Sequence, residues 1–203
     1  MADRKPIIGL AGGIGAGKST VARLLAEAGC VVAHSDEENR QALRDPEIRR
    51  TLVAWWGEEI LDASGEVDRA AVAKIVFADP EQRRRLESLT HPWIQQRHRE
   101  QFAAAPADAP ALVIDAPLLL EAGWDRRCDA VVFVEAPQAV RLARLQAERG
   151  WTAEDLARRE DSQLALDEKR SRADHIVRNS GDLKDLARQV RRVLAEITET
   201  RQT

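Results

Sequence analysis

The chain has 203 residues, of which 44 % are hydrophobic and 32 % are charged, a balance typical of a globular protein and unlike that of a disordered one. Its formal charge of −3, from 31 Lys and Arg residues against 34 Asp and Glu residues, gives no basic excess of the kind that binds nucleic acid. The apolar run at residues 7–11 is far shorter than the roughly 20 residues of a membrane span. We therefore expect a cytoplasmic protein, a monomer more readily than an oligomer, with neither nucleic acid nor a membrane as partner.

The first predicted strand, residues 7–10, leads directly into a glycine-rich loop. Residues 12–19 read GGIGAGKS and match the phosphate-binding pattern G-x-x-x-x-G-K-[ST], and a helical pattern follows at residues 19–28, as the motif requires. Glycines allow backbone N–H groups to turn toward phosphate oxygens, and the positive end of the helix adds to that field. We expect Lys18 to bind the β- and γ-phosphates, the Ser19 hydroxyl to bind Mg²⁺ and Thr20 to contact the α-phosphate. The residues predicted to bind ATP are Gly13, Ile14, Gly15, Ala16, Gly17, Lys18, Ser19 and Thr20.

The second predicted strand, residues 30–32, is followed by a polar and mostly helical segment at residues 36–105. This segment is longer than a simple crossover between strands needs, and it predicts an inserted helical lobe. Asp36 stands directly after the strand, where ligands bind in open α/β sheets. Asp36 could accept the proton of an acceptor hydroxyl and orient the attacking oxygen, or it could cap the following helix.

The third predicted strand, residues 111–114, is closed by Asp115. An acid at this position binds metal or orders water in many P-loop proteins, and the alternative is a carboxylate that caps the next turn. Further strands are predicted at residues 130–134 and 175–177, and further helices at residues 80–104, 137–149 and 182–199. Strands that alternate with helices predict an α/β three-layer fold with a parallel sheet covered on both sides.

Residues 141–172 are dense in Arg, Glu and Asp, and residues 152–155 have the form of a helix-start capping box with Asp in place of the usual Glu or Gln. The segment predicts an exposed helical hairpin. A transferring phosphoryl group spreads negative charge over its oxygens, which favours planar and always-charged donors. A solvated charged helix is the alternative for most arginines of this segment. The candidate donors are Arg144, Arg149, Arg159 and Arg170.

A P-loop alone does not separate kinases from GTPases and motor ATPases. The guanine-binding motif N-K-x-D is absent from the sequence, and the chain is too short for the extra machinery of most motor ATPases. Small-molecule kinases are therefore the leading class.

Several further segments resemble the dephospho-CoA kinase family over nearly the whole chain. Residues 8–19 look like that family's G-L-T-G-G-I-G-S-G-K-S, and residues 34–36 resemble its D-A-D, with His34 in place of the first acid. The remaining similarity lies in three short segments and one long one. Residues 75–81, 90–94 and 115–121 resemble the family's IF-x-[DN]-P, HP-x-I and P-L-L-x-E patterns, and residues 163–181 resemble its Q…K…AD-x-V-I-x-N-x-G pattern.

The resemblance implies transfer of the γ-phosphoryl group of ATP, with Mg²⁺, to the ribose 3′-hydroxyl of dephospho-CoA, which gives CoA and ADP. It also implies a P-loop nucleotide-kinase-like fold with a five-stranded parallel core. The expected parts are the core at residues 1–35, 106–140 and 173–203, a helical CoA-binding lobe at residues 36–105, and a lid at residues 141–172.

Roles for individual residues also follow from the resemblance. Catalytic roles are expected for Lys18, Asp36, Arg144 and Arg149, although the family's second arginine falls at Glu148, beside Arg149. The expected metal ligands, Ser19 and Asp115, come from the chemistry of P-loop proteins rather than from the resemblance. The expected substrate-binding residues are Asp36, His91, Pro117, Leu118, Arg159 and Gln163.

Three points stay open at the level of sequence. His91 precedes Pro92 within a helical pattern and could mark a structural break as easily as a binding residue. Another nucleotide or nucleoside kinase would use the same chemistry on a different acceptor. A P-loop regulatory or assembly ATPase would instead hydrolyse ATP in response to a partner.

Overall fold

The chain divides into two compact units. The computed structural model describes residues 4–199, and each unit is described by itself. The first consists of Met1–His34 and Ala104–Thr203, and the second of Ser35–Ala103. Within residues 4–199, no helix combines the length and the apolar character needed to cross a membrane.

A five-stranded parallel sheet forms the centre of the first unit and confirms the predicted fold class. Its strands are β1 (Ile7–Gly12), β2 (Val31–His34), β3 (Leu112–Asp115), β4 (Ala130–Glu135) and β5 (His175–Arg178). Their order in the sheet is β2-β3-β1-β4-β5, and each neighbouring pair is parallel. The carboxyl ends of all five strands therefore lie at one edge, which is where open α/β sheets bind their ligands.

Helices α1 and α9 cover the sheet with apolar side chains. In chain order the helices within residues 4–199 are α1 (Lys18–Glu27), α2 (Ser35–Ala42), α3 (Pro46–Trp56), α4 (Arg69–Ala78), α5 (Pro80–Ala103), α6 (Gln138–Arg149), α7 (Ala153–Glu160), α8 (Leu166–Ser171) and α9 (Leu183–Glu199). Val21 and Leu25 of α1 and Val190 of α9 are buried in one cluster with Ile8 and Val132 of the strands. Because α1 begins at the end of the glycine-rich loop, this packing fixes the direction in which its N-terminus points.

The segment at residues 141–172 is helical and mostly exposed, as predicted, but two of its charged side chains are buried. It contains most of α6 and all of α7 and α8. Arg141 and Lys169 are only 3 % and 2 % exposed, because each forms an ion pair with a glutamate. The predicted capping box is confirmed, since the N–H of Asp155 donates to Thr152 Oγ1 and the N–H of Thr152 donates to Asp155 Oδ2.

The second unit is built from helices α2 to α5 and confirms that residues 36–105 are mostly helical. One cluster of buried apolar side chains in this unit comes from three of these helices and the turns that join them. Its members are Ala42, Leu43, Ile48, Leu52, Ile60 and Val72. Asp45 begins α3 by accepting hydrogen bonds from the N–H groups of Glu47 and Ile48, as an N-cap residue does.

Helix α5 runs through Pro92 without a break, in agreement with the helix predicted at residues 80–104, so of the two alternatives for His91 the structural break is excluded. Proline removes one N–H donor from a helix, but tertiary packing can stabilise the turns on either side. Trp93 packs against the core of the second unit and donates its indole N–H to Asp45 at 3.1 Å. Ile94, the next residue, is buried.

We expect Leu52→Ala to lower the free energy of unfolding by about 2–5 kcal/mol, because Leu52 is fully buried in the second unit and its truncation leaves a cavity. The matched control is Phe77→Ala, since this side chain is 77 % exposed, and its effect should stay within about 0.5 kcal/mol. Denaturant unfolding followed by circular dichroism measures both values. Equal losses in the two variants would contradict the position given to Leu52.

Candidate active site

The glycine-rich loop at residues 12–17 joins β1 to α1 at the carboxyl edge of the sheet. Gly17, directly before α1, has a left-handed backbone with φ of 90°. Within residues 4–199, no side chain caps the N-terminus of α1, and the first turn of this helix holds no acidic residue. The helix therefore presents backbone donors and the positive end of its dipole to an anion such as phosphate.

The Lys18 side chain folds back over the loop from which α1 begins. Its ammonium donates to the carbonyl of Gly12 at 3.1 Å and to that of Gly13 at 3.3 Å. Ser19 and Thr20 continue the first turn of α1, and the Ser19 residue is exposed. The predicted ATP-binding residues are thus arranged as a loop with one flexible cation and one accessible hydroxyl beside the helix end.

The carbonyl of Ala16 is held by two side chains from distant parts of the first unit. Asn179, the residue after β5, donates its amide N–H to this carbonyl at 2.8 Å. Arg144 donates to the same carbonyl at 3.3 Å and to the Asn179 side-chain oxygen at 3.2 Å. A Cβ at Gly17 would lie 2.2 Å from the Asn179 amide nitrogen, so this contact leaves room only for glycine. Arg144 therefore contacts the loop through backbone carbonyls, and its catalytic role stays a prediction.

Arg141 is a second arginine of α6 that contacts the loop. Its guanidinium donates to the Ile14 carbonyl at 3.1 Å and forms an ion pair with Glu160 of α7. Sequence reasoning used Arg141 only as a boundary of the lid and did not select Asn179 as a site residue. Helical spacing could have indicated Arg141, because Arg141 and Arg144 are three residues apart on α6 and therefore lie on the same face of this helix.

Arg149 and Arg159 lie against Trp151 rather than at the glycine-rich loop. Their guanidinium carbons lie 5.2 Å and 4.2 Å from the centroid of the Trp151 ring, within the range of cation–π attraction. The structure therefore brings Arg144 to the phosphate loop and places these two predicted arginines elsewhere in residues 141–172. Their roles stay predictions.

The predicted substrate residue Gln163 belongs to a buried polar cluster. Lys169 donates to the Gln163 side-chain oxygen at 2.8 Å and pairs with Glu121 at 2.7 Å. Two other predicted substrate residues, Pro117 and Leu118, are exposed in the turn that follows β3. Glu121 pairs with Lys169 and also accepts a hydrogen bond from the backbone N–H of Leu164. These two contacts connect the turn after β3 to residues 164–169.

Asp115 ends β3 at the carboxyl edge of the sheet, between β2 and β1. Its register partners are His34 of β2 and Leu10 of β1, and β1 leads into the phosphate loop. His34 Nδ1 lies 3.3 Å from Asp115 Oδ2. No group of three or more His, Cys, Asp or Glu residues within the described part of the chain could hold a metal ion by itself.

A cavity of about 470 Å³ opens beside Gly13, between the ends of β4 and β5 and helix α8. Glu135, Arg170 and Arg178 lie along its wall, and Glu135 accepts hydrogen bonds from both arginines at 3.0 and 3.1 Å. Partial burial opposes ionisation of Glu135, but the hydrogen bonds from Arg178 and Arg170 outweigh it and hold its pKa below the ordinary value. Cavities of this volume suit a small ligand such as a nucleoside.

Asp36 and His91 belong to the second unit. Helix α2 begins at Ser35, and Asp36 lies exposed within its first turn. Both alternatives for Asp36, the catalytic base and the helix cap, stay predictions. His91 is half-buried in α5, and burial lowers its pKa despite the opposing charge of Glu87. The His91 imidazole is accordingly neutral near pH 7.

A family model described as dephospho-CoA kinase matches residues 6–185 of the chain. The dephospho-CoA kinase of Syntrophotalea carbinolica is 40 % identical over 194 residues, which cover 94 % of this chain and 92 % of the relative. The dephospho-CoA kinase of Deinococcus radiodurans is 42 % identical over 194 residues, which cover 95 % and 93 % of the two chains.

Solved structures show the same similarity. The structure of TT1252 from Thermus thermophilus superposes with a TM-score of 0.83 at 36 % identity and covers 95 % of this chain and 98 % of the other. Dephospho-CoA kinase from Campylobacter jejuni gives a TM-score of 0.69 at 25 % identity, with 97 % and 98 % covered. A shikimate kinase from Acinetobacter baumannii, at 19 % identity and a TM-score of 0.50 with 99 % and 97 % covered, shares the fold alone.

We expect Asn179→Ala to weaken ATP binding about tenfold, because it leaves the buried Ala16 carbonyl without its amide donor and costs about 1–3 kcal/mol. The matched control is Gln189→Ala, which removes an amide side chain bonded to the backbone of Arg178 and not to the loop. Calorimetric titration with a non-hydrolysable ATP analogue measures both affinities. If the two variants bind the analogue equally well, Asn179 does not support the loop.

Proposed function

Because this chain belongs to the dephospho-CoA kinase family, we propose that it transfers the γ-phosphoryl group of ATP to the ribose 3′-hydroxyl of dephospho-CoA, giving CoA and ADP. The observation that carries the proposal is the phosphate loop, which is held by Asn179 and Arg144 at the carboxyl edge of the parallel sheet. In the same unit, a nucleoside-sized cavity adjoins the loop at Gly13. A cytoplasmic location and a monomeric state stay predictions from the sequence.

The triphosphate of ATP would bind along the loop. The backbone N–H groups at residues 13–20 would bind phosphate oxygens, and the adenosine would enter the cavity beside Gly13. Lys18 donates to the carbonyls of Gly12 and Gly13 and would turn to the β- and γ-phosphates, where a cation stabilises the charge that develops during transfer.

Ser19 and Asp115 would hold the Mg²⁺ that accompanies ATP. Their hydroxyl and carboxylate oxygens are the hard ligands that this ion prefers. When bound, the ion neutralises charge on the phosphates and holds their geometry for in-line transfer. The alternative for Asp115 is a role confined to the turn after β3.

Asp36 would act on the acceptor. A carboxylate that accepts the 3′-hydroxyl proton also orients the oxygen for attack on the γ-phosphate. His91 would offer hydrogen bonds to the substrate from the helical lobe at residues 36–105. Pro117, Leu118 and Gln163 would shape the substrate cleft, and Lys169 already fixes the orientation of the Gln163 amide.

The lid at residues 141–172 would supply positive charge near the phosphates. Arg144 is in place on the loop. Arg149 and Arg159 would have to leave Trp151 to reach the phosphates, so their catalytic and substrate-binding roles require the lid to move.

The proposal is tested by comparing acceptors in a coupled assay for ADP. Dephospho-CoA should stimulate ADP formation far more than any nucleoside monophosphate, and ADP formation without an acceptor should be slow. Preference for a nucleoside monophosphate would indicate another nucleotide kinase. ATP hydrolysis that responds to a protein partner and to no small acceptor would indicate a regulatory ATPase.

We expect Lys18→Ala to lower kcat by about 10²-fold or more, because it removes one preorganised charge from the transferred phosphoryl group. The fold should survive, since Lys18 is only partly buried and the loop glycines make their contacts through the backbone. The control is Lys184→Ala, an exposed lysine near the start of α9. Near-normal turnover of the Lys18 variant would remove this residue from the mechanism.

We expect Asp36→Asn to lower kcat for CoA formation by roughly 10²-fold, with ATP affinity changed only a few-fold, because the amide cannot accept the hydroxyl proton. Glu37→Gln is the matched control, since it neutralises an exposed carboxylate in the same helical turn. Steady-state kinetics and calorimetric ATP binding give the two quantities. An Asn variant with normal kcat would exclude Asp36 as the base.

A further inference from the structure

His34 and Asp115 form a side-chain pair at the carboxyl edge of the first unit. The two residues are direct register partners in neighbouring parallel strands, and His34 Nδ1 lies 3.3 Å from Asp115 Oδ2. The Asp115 side chain is only 15 % exposed, whereas that of His34 is 56 % exposed. The Asp115 carboxylate is thus largely buried, and one of its oxygens is hydrogen-bonded to the exposed imidazole of His34.

The sheet gives this carboxylate a defined place relative to the phosphate loop. On its other side, Asp115 pairs in register with Leu10 of β1, and β1 ends at Gly12 where the loop begins. Among residues 4–199, the side chain that forms a hydrogen bond with the Asp115 carboxylate is that of His34. The second carboxylate oxygen, Oδ1, accepts no hydrogen bond from these residues in the structure.

We propose that His34 is a positioning residue, whose Nδ1–H bond to Oδ2 orients Asp115 so that Oδ1 can bind the Mg²⁺ that accompanies ATP. This inference rests on the function proposed above and adds a residue to it. Hydrogen-bond partners of metal ligands commonly change metal affinity by 10–100-fold because they fix the ligand's direction and charge. The imidazole acts here through Asp115 and touches no reacting atom.

A simple surface contact predicts a different result. An exposed histidine and aspartate stabilise a protein by about 1 kcal/mol or less, and their loss would leave metal affinity unchanged. Asparagine distinguishes the two cases, because its amide N–H takes nearly the position of the imidazole Nδ1–H and can donate to the same oxygen. Alanine removes the donor.

The experiment measures Mg²⁺ affinity by calorimetry in the protein saturated with a non-hydrolysable ATP analogue, for His34→Ala, His34→Asn, Asp115→Asn and the double variant H34A/D115N. We expect His34→Ala to weaken Mg²⁺ binding about tenfold, with an unchanged melting temperature. His34→Asn should recover most of the lost affinity. In the Asp115→Asn background, His34→Ala should have no further effect, because the two residues act as one unit.

Three results would overturn the inference. They are unchanged Mg²⁺ affinity in His34→Ala, equal losses in the Ala and Asn variants, and a full effect of His34→Ala in the Asp115→Asn background. The measurement needs only the metal and the ATP analogue. If dephospho-CoA proved not to be the acceptor, the proposed function would fail while the result for His34 would still stand.

Discussion

The phosphate loop depends on the carbonyl of Ala16, which accepts hydrogen bonds from the side chains of Asn179 and Arg144. Asn179 reaches it because its own N–H donates to the carbonyl of Glu135, which holds the chain after β5 beside the end of β4. Arg144 reaches it because Leu145, the next residue of α6, is buried. The shape of the site therefore follows from the order of strands in the sheet, and Gly17 is required because the Asn179 amide occupies the space of a side chain.

Much of the fold could be predicted because buried parallel strands have a simple sequence signature. The apolar runs at residues 7–10, 111–114 and 130–134 lie in strands, as strands covered on both faces must. The phosphate loop was equally predictable, since its glycines, Lys18 and Ser19 form one contiguous motif. The carboxyl-edge position of Asp115 follows from its place after β3.

The contacts that complete the site could not be predicted, because they join residues far apart in the sequence. Asn179 and Ala16 are 163 residues apart, and Arg141 and Ile14 are 127 apart. The density of charged residues at 141–172 predicted an exposed surface, but it does not show which of the arginines form buried ion pairs. Arg149 and Arg159 were selected by residue type alone. The attraction of their guanidinium groups to Trp151 depends on the turn between α6 and α7, which residue type does not specify.

The proposed reaction transfers the γ-phosphoryl group of ATP to one hydroxyl of one acceptor, the ribose 3′-hydroxyl of dephospho-CoA. It is tested most directly by incubating the purified protein with ATP, Mg²⁺ and dephospho-CoA and identifying the product by mass spectrometry and phosphorus NMR. CoA should form in equal amount to the ADP released, with the new phosphate on the ribose 3′-oxygen. ADP without CoA, or a phosphate at a different position, would contradict it.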